Sequence, residues 1–283
     1  MNTAKKRNFS VEFFPPRSEA GKTKLNEVHR KLALLKPDFF SVTYGAGGTT
    51  KQGTKEIVLQ YSNEGSTLVP HLSFGGTEDR EILTLLAEYK DAGINRLVAL
   101  RGDNPSGMGA AIQHRYANEL VEFIRKETGE TFHIEVACYP DIHPESKSYT
   151  SDVSHFKNKV SAGANSAITQ YFYNPDSYFR FVDYCAGQGI TIPIVPGIMP
   201  ITNYANLARF SGSCGAEIPQ WLDKRLTGFG DDTEGLKSFG IDVVTRLCEQ
   251  LLEGGAPGLH FYSMNLASSV NQIWKNLSIK NGG

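Results

Sequence analysis

A single-domain α/β barrel of eight parallel strands, the (β/α)8 or TIM barrel, is the fold the sequence predicts. Three observations predict it. Short β-rich runs alternate with helical patterns, strand then helix, eight times in 283 residues. No linker, low-complexity tract or shift of composition divides the chain. The first strand runs into "PPRSEAG", which is not the glycine-rich phosphate loop that a doubly wound open sheet normally carries there, so that fold is the runner-up.

The first strand is 9–14, "FSVEFF", with Phe9, Val11, Phe13 and Phe14 as its apolar members, and Pro15-Pro16 ends it. A helix follows at 22–35, then strands at 38–43 (DFFSVT) and 67–72 (TLVPHL). A helix at 78–91 leads to the strand 96–100 (RLVAL), and a helix at 115–127 to the strand 132–138 (FHIEVAC). The helix 152–162 precedes the strand 166–171 (SAITQY), and the helix 176–187 precedes 192–196 (IPIVP). The longest tract then holds helices at 203–210 and 235–253, with an extra helix around 219–226. The last strand is 258–262 (GLHFY), and a helix at 266–277 closes the chain. Residues 1–7 read as a flexible basic tail, and 8–283 as the barrel.

The composition narrows the partners. A net charge of −1 gives no basic field for nucleic acid or an anionic membrane. No apolar run approaches the roughly 20 residues that span a bilayer, and the N-terminus lacks the apolar segment of a secretory signal. Cys138, Cys185, Cys214 and Cys248 are scattered without a CxxC pair, as expected of reduced thiols in a cytoplasmic protein with no bound metal.

In a barrel the chemistry sits at the carboxyl ends of the strands. Those ends carry Glu12; Thr43 and Tyr44; His71; Arg101 and Asp103; Tyr139, His143 and Glu145; Gln170; and Tyr262. Each has a structural alternative. Glu12 pairs with a barrel lysine or arginine, His71 is a satisfied core histidine, and Gln170 satisfies barrel backbone. As a set they predict a large open site for an aromatic ligand. A carboxylate inside an apolar strand is costly to bury alone, so Glu12 must be paired, wet or working. Two glycine motifs fail as nucleotide loops. "GAGGTT" at 45–50 lacks the last glycine of GxGxxG, and "GTTKQGTK" at 48–55 ends in Thr-Lys rather than Lys-Ser/Thr.

The blocks "EFFPPR", "SVTYGAGG", "PHLS", "ALRGD", "YPDIHPE", "AGANSAITQYFY", "PGIMP" and "FYSMN" together resemble methylenetetrahydrofolate reductase of the bacterial type, from about residue 8 to about residue 270. The resemblance implies a barrel that holds FAD without a Rossmann fingerprint, in agreement with the missing glycine loop. It implies reduction of 5,10-methylenetetrahydrofolate to 5-methyltetrahydrofolate, with NADH or NADPH as co-substrate, in a homo-oligomer. By the same resemblance Glu12 is the general acid that protonates the leaving amine as the folate ring opens. Phe13, Phe14 and a stacked flavin then supply an apolar surround that disfavours its charged form.

Asp103 corresponds to an aspartate near flavin and pterin, and so counts as catalytic, cofactor-binding and substrate-binding. Gln170, Phe210 and Tyr262 correspond to substrate contacts. For FAD the resemblance implicates Thr43, His71, Leu100, Arg101, Gly102, Tyr116, Ala117, Ala137, Tyr139, His143, Asp152, His155 and Lys159. Two departures stand out. Leu266 follows "FYSMN" where many relatives carry an arginine. His155 and Asn158 stand where relatives have Asn and Arg, which leaves more of the pyrophosphate charge to Lys159. A different barrel enzyme, one that binds phosphorylated sugars or a barrel flavoenzyme with another substrate, is the alternative, but "PGIMPITN" and "FYSMNLAS" are poor phosphate grips. A non-catalytic folate-binding barrel is the third reading, and it does not require Glu12, Asp103 and Gln170 together.

Overall fold

The computed structural model describes residues 6–44, 51–74, 77–102 and 116–279. Its strands are β1 (Asn8–Phe13), β2 (Phe39–Val42), β3 (Leu68–Ser73), β4 (Arg96–Leu100), β5 (His133–Cys138), β6 (Ser166–Thr169), β7 (Ile194–Val195), β8 (Gly197–Ile198) and β9 (Gly258–Tyr262). Between them run α1 (Glu19–Ala33), α2 (Lys51–Asn63), α3 (Asp79–Asp91), α4 (Ala117–Thr128), α5 (Tyr149–Ser161), α6 (Pro175–Gly187), α7 (Tyr204–Cys214), α8 (Gln220–Thr227) and α9 (Thr233–Glu253), and α10 (Ser268–Asn276) follows β9. Local chemistry sets the helix starts. Ser18, Ser148, Asn174, Asn203 and Asp232 each accept a first-turn N–H, and Pro175 opens α6 with its fixed φ.

All strand pairs are parallel, in the order β7-β6-β5-β4-β3-β2-β1-β9-β8. β7 and β8 are two halves of one barrel strand on either side of Pro196. The first half pairs with β6 and the second with β9, so the strand changes partner at the residue that has no N–H to donate. Pro196 still accepts from His260 N–H at 3.0 Å. The sequence reading ended this strand at Pro196, whereas the pairing continues to Ile198. The barrel therefore closes across Gly197. Thr169 Oγ1 accepts from Gly197 N–H at 2.9 Å, and Tyr262 Oη donates to Thr169 C=O at 2.7 Å. A Cβ on Gly197 would lie 2.2 Å from Thr169 O and 2.6 Å from Tyr262 Cε2, so only glycine fits.

The helix α2 adds to the sequence reading, which did not assign 51–63. Its signal was present: Thr54, Ile57, Val58 and Tyr61 are all buried on one face.

Alternation along each strand separates two interiors. Val11 and Phe13 point out of the barrel into the helical layer, where Phe13 stacks on Phe40 with centroids 5.0 Å apart and meets Tyr61 edge-on. Burial of one such ring is worth about 2–3 kcal/mol. Ser10 and Glu12 alternate to the inside. The inside is polar for a barrel and holds two clusters. One is Ser10, Glu12, His71 and His260. The other is Arg96, His133, Glu135 and Ser166. Burial pushes the Glu135 carboxyl up, but hydrogen bonds from His133 and Ser166 and the Arg96 charge outweigh it, and the group sits below the usual range.

Candidate active site

Glu12 lies at the last residue of β1 but one, paired in register with Ser41 and Tyr262. Its side chain is 18% exposed, and Oε2 is 3.4 Å from His71 Nε2 and 3.5 Å from His260 Nε2. No lysine or arginine pairs with it among the described residues. Nor do Phe13 and Phe14 surround it. Phe13 is fully buried on the opposite face of β1, and Phe14 is 40% exposed. The expected apolar surround is thus replaced by two imidazoles, because period-2 alternation sends the neighbouring phenylalanine away from the barrel axis.

The two histidines are held differently. His260 is fully buried, and its Nδ1 shares a 2.7 Å hydrogen bond with Ser10 Oγ. His71 is buried within β3, two residues before its end. Burial lowers its pKa to about 4, and the Glu12 carboxylate only partly opposes this. His71 is therefore neutral at neutral pH. The Nε2 atoms of both rings are buried and lack a hydrogen-bond partner, although each faces the carboxylate. The polar groups at this floor are therefore the Glu12 carboxylate and the two ring nitrogens that face it. The sequence reading named His71 but missed His260. The same alternation carried the signal: in "GLHFY" His260 shares a face with Tyr262, and in "FSVEFF" Ser10 shares one with Glu12.

Around this floor stand the other expected residues. Thr43 and Tyr44 directly follow β2, and burial pushes the Tyr44 phenol up to about 12. Leu100 ends β4, followed by Arg101 and by Gly102 at φ +81°, a left-handed position natural to glycine. Arg101 forks onto Glu145 at 2.5 and 2.9 Å. Asp103 and the glycines of 45–50 lie outside the described residues. Tyr116 is 54% exposed and caps α4, directly before Ala117.

From β5, Ala137 accepts from Lys159 Nζ at 2.6 Å, and burial lowers the ammonium's pKa. Tyr139 meets His143 edge-on at 4.6 Å. Burial holds the Tyr139 phenol up at about 12 and lowers the His143 imidazole. Asp152 is engaged in shaping the loop: it accepts from His143 N–H and Ser146 Oγ, both at 3.0 Å. His155 lies exposed on α5.

On the other side, Gln170 follows β6 and accepts from Tyr171 N–H. Phe210 is half-buried on α7 under the Arg209 guanidinium, 4.9 Å away. Tyr262 spends its hydroxyl on the barrel wall, so only its ring is available to a ligand. Burial, followed by the Glu12 charge, raises its phenol far above the ordinary value. Cys138, Cys185 and Cys248 are buried and Cys214 half-buried, all four as free thiols. Among the described residues no cluster could hold a metal ion, and no helix is long and apolar enough to cross a membrane.

The family model for methylenetetrahydrofolate reductase matches residues 1–278 of this chain. The 5,10-methylenetetrahydrofolate reductase of Buchnera aphidicola subsp. Schizaphis graminum is 41% identical over 266 residues, covering 93% of this chain and 89% of the relative. That of Escherichia coli (strain K12) is 39% identical over 277 residues, covering 97% and 92%. A Clostridium thermocellum protein solved with two copies of 5-methyl-5,6,7,8-tetrahydrofolic acid shares the fold, with a TM-score of 0.66 at 17% identity over 96% of this chain and 94% of that one.

Proposed function

Because the chain belongs to the methylenetetrahydrofolate reductase family, a family of oxidoreductases in folate one-carbon metabolism, we propose that it reduces 5,10-methylenetetrahydrofolate to 5-methyltetrahydrofolate with NAD(P)H through bound FAD. The observation that carries this reading is the floor of the barrel mouth: one accessible carboxylate, Glu12, faced by two buried and unsatisfied imidazole nitrogens.

The residues present fit a flavin dinucleotide. Leu100 and Ala137 offer an apolar wall, Gly102 lets the backbone approach closely, Tyr116 offers a ring, and Lys159 offers charge for a pyrophosphate, with Arg101 held by its ion pair to Glu145 between Leu100 and Gly102. Thr43, His71, Ala117, Tyr139, His143, Asp152 and His155 complete that side in our reading, and the family resemblance assigns Asp103 a role towards flavin and pterin. Bound FAD supplies the two-electron chemistry between nicotinamide and folate.

The protein's part is proton delivery and orientation. Glu12 gives a proton to the folate nitrogen that leaves the bridging carbon, and the opened iminium then accepts hydride at that carbon. His71, neutral in its burial, faces the carboxyl at 3.4 Å and brings no competing charge. Gln170 orients the pterin, Phe210 stacks on substrate, and the Tyr262 ring borders the benzoyl-glutamate end. Both substrates use one pocket in turn, which makes the kinetics ping-pong.

Glu12→Gln tests the assignment, since it keeps size and hydrogen bonding but has no acidic proton. The variant should bind FAD and be reduced by NADH at the wild-type rate. Reoxidation by methylenetetrahydrofolate should slow by about 10²–10⁴-fold in stopped flow. If both half-reactions slow equally, Glu12 serves flavin placement instead. If neither slows, the acid is another residue.

A further inference from the structure

Directly after β9 the backbone takes an unusual course. Met264 and Asn265 are consecutive left-handed residues, at φ +51° and +53°, and neither is glycine. Asn265 is 9% exposed, and its carboxamide makes two opposed hydrogen bonds to a single residue of the other chain segment. Oδ1 accepts from Phe14 N–H at 3.1 Å, and Nδ2 donates to Phe14 C=O at 2.8 Å. The side chain thereby takes the place of a peptide unit in a ladder. The real ladder between β1 and β9 ends at Glu12 and Tyr262, and Pro15 and Pro16 have no N–H with which to extend it. Ser263 adds a third grip. It is buried, its Oγ donates to Glu12 C=O at 2.6 Å, and the same oxygen accepts from Asn265 N–H at 3.2 Å.

These bonds hold the main chain at the carbonyl of Glu12 itself and at Phe14, two residues beyond it. They do not serve the core through Phe14, whose ring is 40% exposed. A glycine would end the strand without strain. An asparagine in this conformation is required only for the paired bonds.

We propose that Ser263 and Asn265 form a clamp that aims the Glu12 carboxylate, with Asn265 as a positioning residue for proton delivery to folate. The inference rests on Glu12 being the acid. The clamp keeps β1 in register with β9 past the end of their pairing, so Oε2 stays between His71 and His260. A loosened β1 end would let the carboxylate turn towards solvent at the barrel mouth. Misplacement by about 1 Å costs a reaction roughly 10²-fold, and this sets the size of the expected effect.

The test uses FAD-loaded Asn265→Gly and Asn265→Asp beside Glu12→Gln. The glycine relieves the left-handed strain and removes both bonds. The aspartate keeps the acceptor for Phe14 N–H and loses the donor to Phe14 C=O. Asn265→Gly should slow reoxidation by methylenetetrahydrofolate by about 10- to 100-fold, leave reduction by NADH unchanged, and move the pH midpoint of the folate half-reaction. Asn265→Asp should fall between it and wild type, and it carries the test if the glycine variant does not fold. A slow Glu12→Gln beside an Asn265→Gly with wild-type folate rate and pH profile would overturn the clamp alone. Equal slowing of both half-reactions in the Asn265 variants would do the same. A Glu12→Gln with unimpaired folate reduction would remove the acid assignment first, and the clamp's role with it.

Discussion

His71→Gln should make the protein less sensitive to mild acid. The imidazole is neutral in the fold because burial lowers its pKa to about 4, with the Glu12 carboxylate opposing and His260 adding to the shift. In the unfolded chain the same ring titrates near 6.5. Between these values the unfolded state binds the extra proton. Stability is therefore complete above about pH 6.5 and falls as the pH drops towards 4. A gap of about 2.5 pK units at 1.36 kcal/mol each makes this loss about 3 kcal/mol in total. With a urea slope of roughly 3 kcal/mol per M for a chain of this size, the midpoint moves by about 1 M. Urea titrations at pH 7, 5.5 and 4.5, run on wild type and His71→Gln, isolate the contribution, because every other titrating group is common to both. The wild type should lose about 1 M more than the variant across this window. Parallel loss in the two proteins would refute the argument, as would an NMR titration showing the His71 ring protonated above pH 6.

Three further outcomes are expected. Tyr262→Phe removes the hydroxyl that bonds Thr169 C=O across the partner change at Gly197, so chemical denaturation should show a loss of about 1–3 kcal/mol while the ring face offered to substrate is unchanged. Lys159→Ala should raise the FAD dissociation constant, read by flavin fluorescence, with little change in turnover at saturating FAD. An unchanged constant would remove Lys159 from the site. Leu266→Arg should lower the folate KM by adding a cation for the glutamate tail, without altering flavin reduction by NADH. An unchanged KM would mean that this position does not read the tail.

The sequence by itself determined which segments are strands and that they form a closed parallel ring. Hydrophobic periodicity and Gly/Pro punctuation are local properties, and a buried parallel strand such as 96–100 or 258–262 writes its own boundaries. It also placed Glu12 at a strand end, where a barrel concentrates its chemistry. Local rules failed where a partner decides. Pro196 reads as a stop, yet the strand continues because β9 takes over the pairing that β6 cannot. Helix 51–63 went unassigned because its start follows a glycine-rich tract, although its buried face is periodic. Phe13 and Phe14, next to Glu12 in sequence, are not the residues that surround it. Its neighbours in space are His71 and His260, 59 and 248 residues away in the chain. The bonds from Asn265 to Phe14 span 251 residues. Such contacts depend on strand order and register, and these are fixed only when the barrel closes and brings its first strand against its last.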